Sequence, residues 1–218
     1  MNHTNRIIVT VNLLIFTVED GVIKLILIKR ANNPFVGYWA LPGGAIDIKE
    51  SLDSAAKRVL LEETGVHDVY LEQLYTFGDP NRDPRERRVN VSYFALIPSE
   101  NIRLHAAGKA WEAKWTPVKK MPKLAFDHKL IVEYGIDRLK SKMGYSNLAF
   151  GLLDKSFRLS ELQKVYEIVL GRKLDKRNFR KKMLALNLLR ATGRKEIDGA
   201  HRPAMLYSFI NKEVVVFD

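Results

Sequence analysis

Two apolar runs open the chain, Ile7 to Val18 and Val22 to Lys29, both rich in β-branched residues and parted by Glu19-Asp20-Gly21. An Asp-Gly pair between two such runs predicts a β-hairpin. The period then changes. From Ser51 to Thr64, positions Leu52, Ala55, Ala56, Val59, Leu60 and Glu63 recur at helical spacing, and Gly65 predicts the stop. Further strands are predicted at Val69 to Phe77 and Arg88 to Ile97, and an amphipathic helix at Lys129 to Lys142 that ends near Gly144. Strands, helix, strands and helix in that order predict an α+β domain, a mixed sheet between helices.

Periodicity lapses between Lys142 and Leu152, where Gly144, Ser146, Asn147 and Gly151 fall. A boundary there divides the chain into residues 1–145 and 146–218. In the second part Ser160 is expected to cap a helix over Glu161 to Leu170, ended by Gly171, and Asp175 to cap another through about Leu186. Leu188 to Ala191 and Leu206 to Phe209 read as strands flanking a basic loop, Thr192 to Pro203, that contains Gly193 and Gly199. Helix, turn, basic helix and ribbon outline a small winged helix-turn-helix.

Charge sharpens that division. The formal net charge is +11; residues 1–145 carry 21 basic against 17 acidic side chains, and residues 146–218 carry 15 against 8. Within 172–195 there are ten basic side chains and one acid, Asp175. That density favours a polyanionic partner, against the plain alternative of a solvated helix. Cysteine is absent, which excludes disulfides, thiolate metal sites and a cysteine nucleophile and fits a cytoplasmic protein. No run approaches the roughly 18–20 apolar residues that span a bilayer, and Ile7 to Val18, interrupted by Asn12, reads as a strand rather than a leader.

The chemistry lies around the first helix. Gly44, Glu50, Arg58, Leu60, Glu62, Glu63, Gly65 and Val66 fall in register with the Nudix box, entered through Trp39-Ala40-Leu41-Pro42-Gly43-Gly44, and this stretch resembles that family. One position departs: Val59 stands where an acidic residue is expected. Glu62 and Glu63 follow it at i+3 and i+4, so a carboxylate at 59 would complete a three-acid cluster able to hold Mg²⁺ or Mn²⁺ and activate water. Valine can neither ligate a metal nor act as a base, and such a loss costs about 10²- to 10⁴-fold in rate. No catalytic residue is therefore assigned. Glu62 and Glu63 remain as candidate metal ligands, Gly43 and Gly44 as backbone that can approach a phosphate, and Glu50 with Arg58 as a structural salt bridge.

Two further segments carry candidate binding residues. In Phe77-Gly78-Asp79-Pro80-Asn81-Arg82-Asp83-Pro84-Arg85, Arg82 and Arg85 suit bidentate pairing with phosphate and Phe77 suits an adenine, against the alternative of a charged turn. His128, in Ala125-Phe126-Asp127-His128, has no ligand-spaced partner and reads as a helix cap or core residue. In the second segment, Phe179, Met183 and Leu186 fall on one helical face and Arg177 and Lys181 on the opposite one. Arg177, Asn178 and Arg180 suit base edges; Lys176, Lys181 and Lys182 suit phosphates; Arg194, Lys195 and Arg202 belong to the wing.

From end to end the chain resembles the Nudix-related transcriptional regulators of the NrtR type, in the box, in Leu174-Asp175-Lys176-Arg177-Asn178-Phe179-Arg180-Lys181 and in Arg202-Pro203-Ala204. The resemblance implies a homodimeric DNA-binding repressor of NAD-related or sugar metabolism genes. Its degenerate Nudix domain would sense ADP-ribose or a related ligand and mediate dimerisation on a palindromic operator. A regulator of this kind requires no cofactor. The alternative is a slow Nudix hydrolase that splits ADP-ribose with Mg²⁺ or Mn²⁺; an RNA-associated role ranks last, since no exposed aromatic platform is evident.

Overall fold

The computed structural model describes residues 6–65, 67–98, 110–196 and 203–217. Val66, Gly199 and Arg202 lie outside them. The first half is built on a seven-stranded mixed sheet. Its hairpin of β1 (Ile8–Glu19) and β2 (Val22–Arg30) turns at Asp20 and Gly21, both with positive φ, as an Asp-Gly pair permits. β1 runs parallel to β6 (Arg88–Leu96), which pairs antiparallel with β5 (Tyr70–Phe77). β2 also pairs with β7 (Ala110–Pro117) and with β3 (Trp39–Ala40), and β1 pairs with β4 (Gly43–Ala45).

Alternation along β1 splits the core in two. Val11, Leu13 and Ile15 face α1 (Leu52–Thr64) with its Ala55, Ala56, Val59 and Leu60, whereas Leu14 and Phe16 face α2 (His128–Tyr145) with its Ile131, Val132, Leu139 and Met143. The sheet is thus sandwiched between helices, as the periodicity predicted. β3, β4 and β7 were not predicted. The first two are too short to show a period.

A close approach fixes the turn into the box. Gly43 pairs with Asn12 of β1, and a β-carbon on Gly43 would meet Val11 O and Asn12 Nδ2 at 2.3 Å. Asn12 is itself held in a buried network, accepting from Asn90 Nδ2 at 2.7 Å and donating to Pro42 O at 3.3 Å. Glycine at 43 therefore serves backbone packing against β1, while Gly44 has open space around it. Gly43→Ala is expected to lose roughly 2–3 kcal/mol of stability in urea denaturation, and Gly44→Ala to stay within about 0.5 kcal/mol of the parent.

The second half carries α3 (Leu159–Leu170), α4 (Lys176–Ala185) and a small sheet of β8 (Phe157–Arg158), β9 (Leu189–Glu196) and β10 (Ala204–Phe209). This is a winged helix-turn-helix. Ser160 is not the cap of α3: the helix begins two residues earlier, and Glu161 reaches back so that the Arg158 N–H donates to its carboxylate at 2.7 Å. Asp175 does cap α4, accepting from the Asn178 N–H at 2.8 Å. Leu148, Ala149, Leu152, Phe157 and Val165 join the α2-side core, so one apolar core runs through both halves. Phe150 lies between them, its ring 5.8 Å from Tyr70 of β5 and 6.1 Å from Phe209 of β10.

Candidate functional site

The recognition face comes from two local choices of sequence. Gly171, at φ 69, ends α3 and turns the chain. The turn is then tied down: Glu167 accepts from the Leu174 N–H at 2.9 Å and from Lys173 Nζ at 3.1 Å, while Gln163 Nε2 donates to Leu174 O at 2.9 Å. Those donors, the backbone N–H of Leu174 first, hold the Glu167 carboxyl down at about 2. α4 leaves this turn with Phe179 and Met183 buried, the Phe179 ring 5.4 Å from Tyr166 of α3.

The opposite side of α4 is cationic. Lys176, Arg177, Asn178, Arg180, Lys181 and Lys182 are all exposed, as are Arg194 and Lys195 on β9. Among the described residues, none of Lys176, Arg177, Arg180, Lys181, Arg194 and Lys195 has a carboxylate partner, although ion pairs form elsewhere in this half, as between Arg158 and Glu161. Unpaired, solvated cations on one helix and an adjoining ribbon suit a phosphate backbone. Lys182 differs, with its ammonium 5.4 Å from the centre of the Phe217 ring.

That ring ends a C-terminal strap. The Phe217 N–H donates to Tyr145 O at 2.7 Å, the Asn147 N–H to Val215 O at 3.1 Å, and the Asn147 side chain bonds both Val215 N and Glu213 O. The end of α2 and the recognition helix are therefore joined through residues 213–217. Sequence reading missed this because the hydrogen-bonded side-chain partners are 66 and 68 residues apart.

At the box, Arg58 grips Glu50 through two bonds of 2.8 and 2.9 Å, the structural salt bridge expected. Glu62 is exposed. Glu63 is buried, its Oε2 has no hydrogen-bond partner, and burial followed by the charge of Glu62 raises its pKa to about 7. Val59 packs in the apolar layer beneath α1 with only 2% of its surface exposed. Among the described residues no three His, Cys, Asp or Glu side chains are grouped to hold a metal ion. The orphaned carboxylate of Glu63 would accept a cation, but with Glu50 committed to Arg58 and valine at 59 the donor set falls short of a catalytic Mg²⁺ or Mn²⁺ centre.

Glu63 makes stability depend on pH. Its folded pKa lies above its ordinary value near 4.5, so its contribution is fully present below about pH 4.5 and is lost as pH rises through about 7. Glu63→Gln is expected to leave stability nearly unchanged at pH 4.5 and to raise it by about 3 kcal/mol at pH 8.5, as read by denaturation at the two pH values.

The loop of residues 78–87 places its arginines differently from the expectation. Arg82 is buried and donates two bonds, 2.9 and 2.7 Å, to Asp127, the residue that precedes α2. Arg85 donates to Asp83 at 2.9 and 2.6 Å. In this state both forks hold protein carboxylates, and a phosphate would have to displace them. Phe77 points into the core against Tyr75 and Tyr134, at ring distances of 5.3 and 5.9 Å, because strand alternation turns it under α2. Of the two roles read for His128, cap or core, the structure gives the second: it is the buried first residue of α2, its Nδ1 accepts the Leu41 N–H at 2.9 Å, and burial with Arg82 and Arg30 nearby lowers its pKa to about 3, so the ring stays neutral.

Beside the Arg82–Asp127 pair opens a cleft of about 460 Å³ lined by Phe35, Asp79, Asn81, Arg82, Pro84, Phe126, Asp127 and Leu130. None of its aromatic residues was singled out in the sequence. A box-bearing α/β/α sandwich with such a cleft, fused to a winged helix with a cationic face, defines a two-part protein of the Nudix fold joined to a nucleic-acid-binding fold.

Residues 7–134 match the family model of the NUDIX domain and residues 149–209 that of the NrtR DNA-binding winged helix domain. The chain is 39% identical over 206 residues to the ADPR responsive transcriptional repressor NtrR of Acinetobacter baylyi, covering 93% of this chain and 82% of the relative. It superposes on Shewanella oneidensis NrtR complexed with a 27mer DNA at a TM-score of 0.84 and 38% identity, over 92% of this chain and 93% of that one. The Nudix domain of the same protein complexed with ADP ribose matches 62% of this chain and 89% of its own length at 40% identity and a TM-score of 0.56. The chain belongs to the NrtR family of Nudix proteins. Among its described residues no helix is long and apolar enough to cross a membrane.

Proposed function

We propose that the protein is a cytoplasmic, ADP-ribose-responsive transcriptional repressor of NAD-related genes that binds double-stranded DNA through α4 and the wing. The observation that carries this reading is the row of exposed cations that have no carboxylate partner among the described residues on α4 and β9, on a helix whose other face is locked into the core by Phe179 and Met183. The protein acts as a homodimer, each copy placing its α4 in a major groove, and half-sites about 34–36 Å apart make the operator palindromic. Residues 1–145 form the sensing and dimerising part and residues 146–218 the DNA-binding part. ADP-ribose shifts DNA affinity only by as much as it binds the two dimer geometries differently.

The Nudix domain serves as a sensor rather than a catalyst, since Val59 and the Glu50–Arg58 pair leave two acids, Glu62 and Glu63. The orphaned carboxylate of Glu63 favours one competing reading, a slow hydrolase. Titration calorimetry with ADP-ribose, followed by chromatography for released AMP after prolonged incubation with Mg²⁺, separates the two. Saturable binding without AMP is expected; steady AMP release that Glu63→Gln abolishes would make the protein an enzyme.

A further inference from the structure

A second cavity lies under the recognition helix, apart from the Nudix box. It holds about 230 Å³ between the last turn of α2, α3 and α4. Its walls are apolar: Met143, Tyr166, Phe179 and Met183 are all buried, and the Phe217 ring of the strap closes one side. These walls are also pinned in place. The Tyr166 hydroxyl donates to Ser146 O at 3.0 Å, its ring lies 5.4 Å from that of Phe179, and the Phe217 N–H is held by Tyr145 O. A β-carbon on Gly144 would meet nothing within 4 Å, so room remains beside the last turn of α2.

The mouth has the opposite character. Arg172, in the turn between α3 and α4, and Lys182 both border it, and both are exposed. Neither has a carboxylate partner among the described residues; Lys182 instead rests its ammonium 5.4 Å from the centre of the Phe217 ring. Asp175 borders the cavity too, but its carboxylate is engaged at the cap of α4 by the Asn178 N–H. Two cations above a floor of rings and thioethers match a molecule with an aromatic body and an anionic head. The volume falls just below the roughly 300–1,000 Å³ of drug-sized sites, which limits the body to one or two fused rings.

We propose that this cavity is a second ligand site that takes a small aromatic carboxylate, with its rings against Phe179 and Phe217 and its carboxylate between Arg172 and Lys182. The site goes beyond the ADP-ribose reading and does not depend on it. It bears on DNA directly. Lys182 suits a DNA phosphate, and one ammonium cannot serve a ligand carboxylate and a phosphate fully at once. Ligand and DNA therefore oppose each other, each weakening the other's binding by the same factor.

The test uses the full chain, with sodium 2-naphthoate as the probe and 2-naphthalenemethanol as its uncharged counterpart. Calorimetry measures probe affinity, and anisotropy measures binding to a promoter fragment with and without saturating naphthoate. Saturable binding of naphthoate is expected, about fivefold tighter than that of the alcohol, the scale of an exposed ion pair. DNA affinity is expected to fall about fivefold or more. Gly144→Leu occupies the space beside α2 and suits a helix better than glycine does; it is expected to weaken naphthoate binding by about tenfold or more while retaining parental DNA affinity. Arg172→Gln leaves the walls intact and decides the matter if the leucine variant does not fold: its preference for naphthoate over the alcohol is expected to shrink. No saturable binding to the parent, or parental binding to every folded variant, overturns the site. Equal binding of acid and alcohol overturns the anionic head, and parental DNA affinity at saturating naphthoate overturns the opposition to DNA.

Discussion

Replacing Arg177 and Arg180 together by alanine is expected to lower operator affinity by about 10²- to 10⁴-fold at 150 mM salt, because each residue that contacts a base edge contributes about 1–3 kcal/mol. Both side chains are exposed and have no carboxylate partner among the described residues, so their loss removes no described ion pair from the fold. The helix itself should survive. Phe179 and Met183 still anchor it and Asp175 still caps it, so thermal stability is expected to stay within roughly 0.5 kcal/mol of the parent. Lys181→Ala should behave differently, weakening every DNA about equally and reducing the salt slope by about one. Fluorescence anisotropy against an operator and a scrambled duplex reads both effects. Parental affinity in the double variant would move recognition away from α4.

Val59→Glu restores the letter of the Nudix box and is expected to damage the protein. The side chain at 59 is 2% exposed among Val11, Leu13, Ile15, Ala55 and Leu60, one turn before a glutamate whose own burial already raises its pKa to about 7. A second carboxylate there enters an apolar layer without a partner. The expected loss is about 3–5 kcal/mol at pH 8, a large share of the roughly 5–15 kcal/mol by which domains are stable, with no gain in ADP-ribose turnover. A stable variant that hydrolyses ADP-ribose would show that position 59 can still open towards substrate.

These two outcomes trace what the sequence does and does not make legible. The long elements follow from period alone: the hairpin at Asp20-Gly21, α1 with its stop at Gly65, and α4 with its apolar stripe at Phe179 and Met183. Local chemistry is legible too, as the Asp175 cap and the Glu50–Arg58 pair show. What escapes is set by topology. Arg82 meets Asp127 across 45 residues and His128 meets Leu41 across 87, and no periodicity reports such meetings. The same holds for the aromatic side of the cleft, where Phe35 and Phe126 converge only once β3 and the start of α2 are joined by the bond from Ala125 N to Trp39 O. Ser160 misled because a serine before an acidic residue resembles a cap, whereas Glu161 bonding back to Arg158 starts the helix sooner.

The continuous core explains why sensing and DNA binding can be linked at all. Phe150 and the segment Leu148–Leu152 pack between the sheet and the winged helix, and the strap of residues 213–217 returns from the wing to the end of α2. Coupling then needs only a change in how α2 sits, since packed elements shift between discrete arrangements rather than deform smoothly.

The most direct test of the central claim is selection of bound fragments from sheared host genomic DNA at about 150 mM salt, where nonspecific phosphate binding is suppressed, with and without ADP-ribose. The account predicts recovery of a few promoters that share a palindrome, with their occupancy changed by ADP-ribose. Absence of enrichment in both conditions would contradict it and leave a Nudix protein whose basic helix serves no specific site.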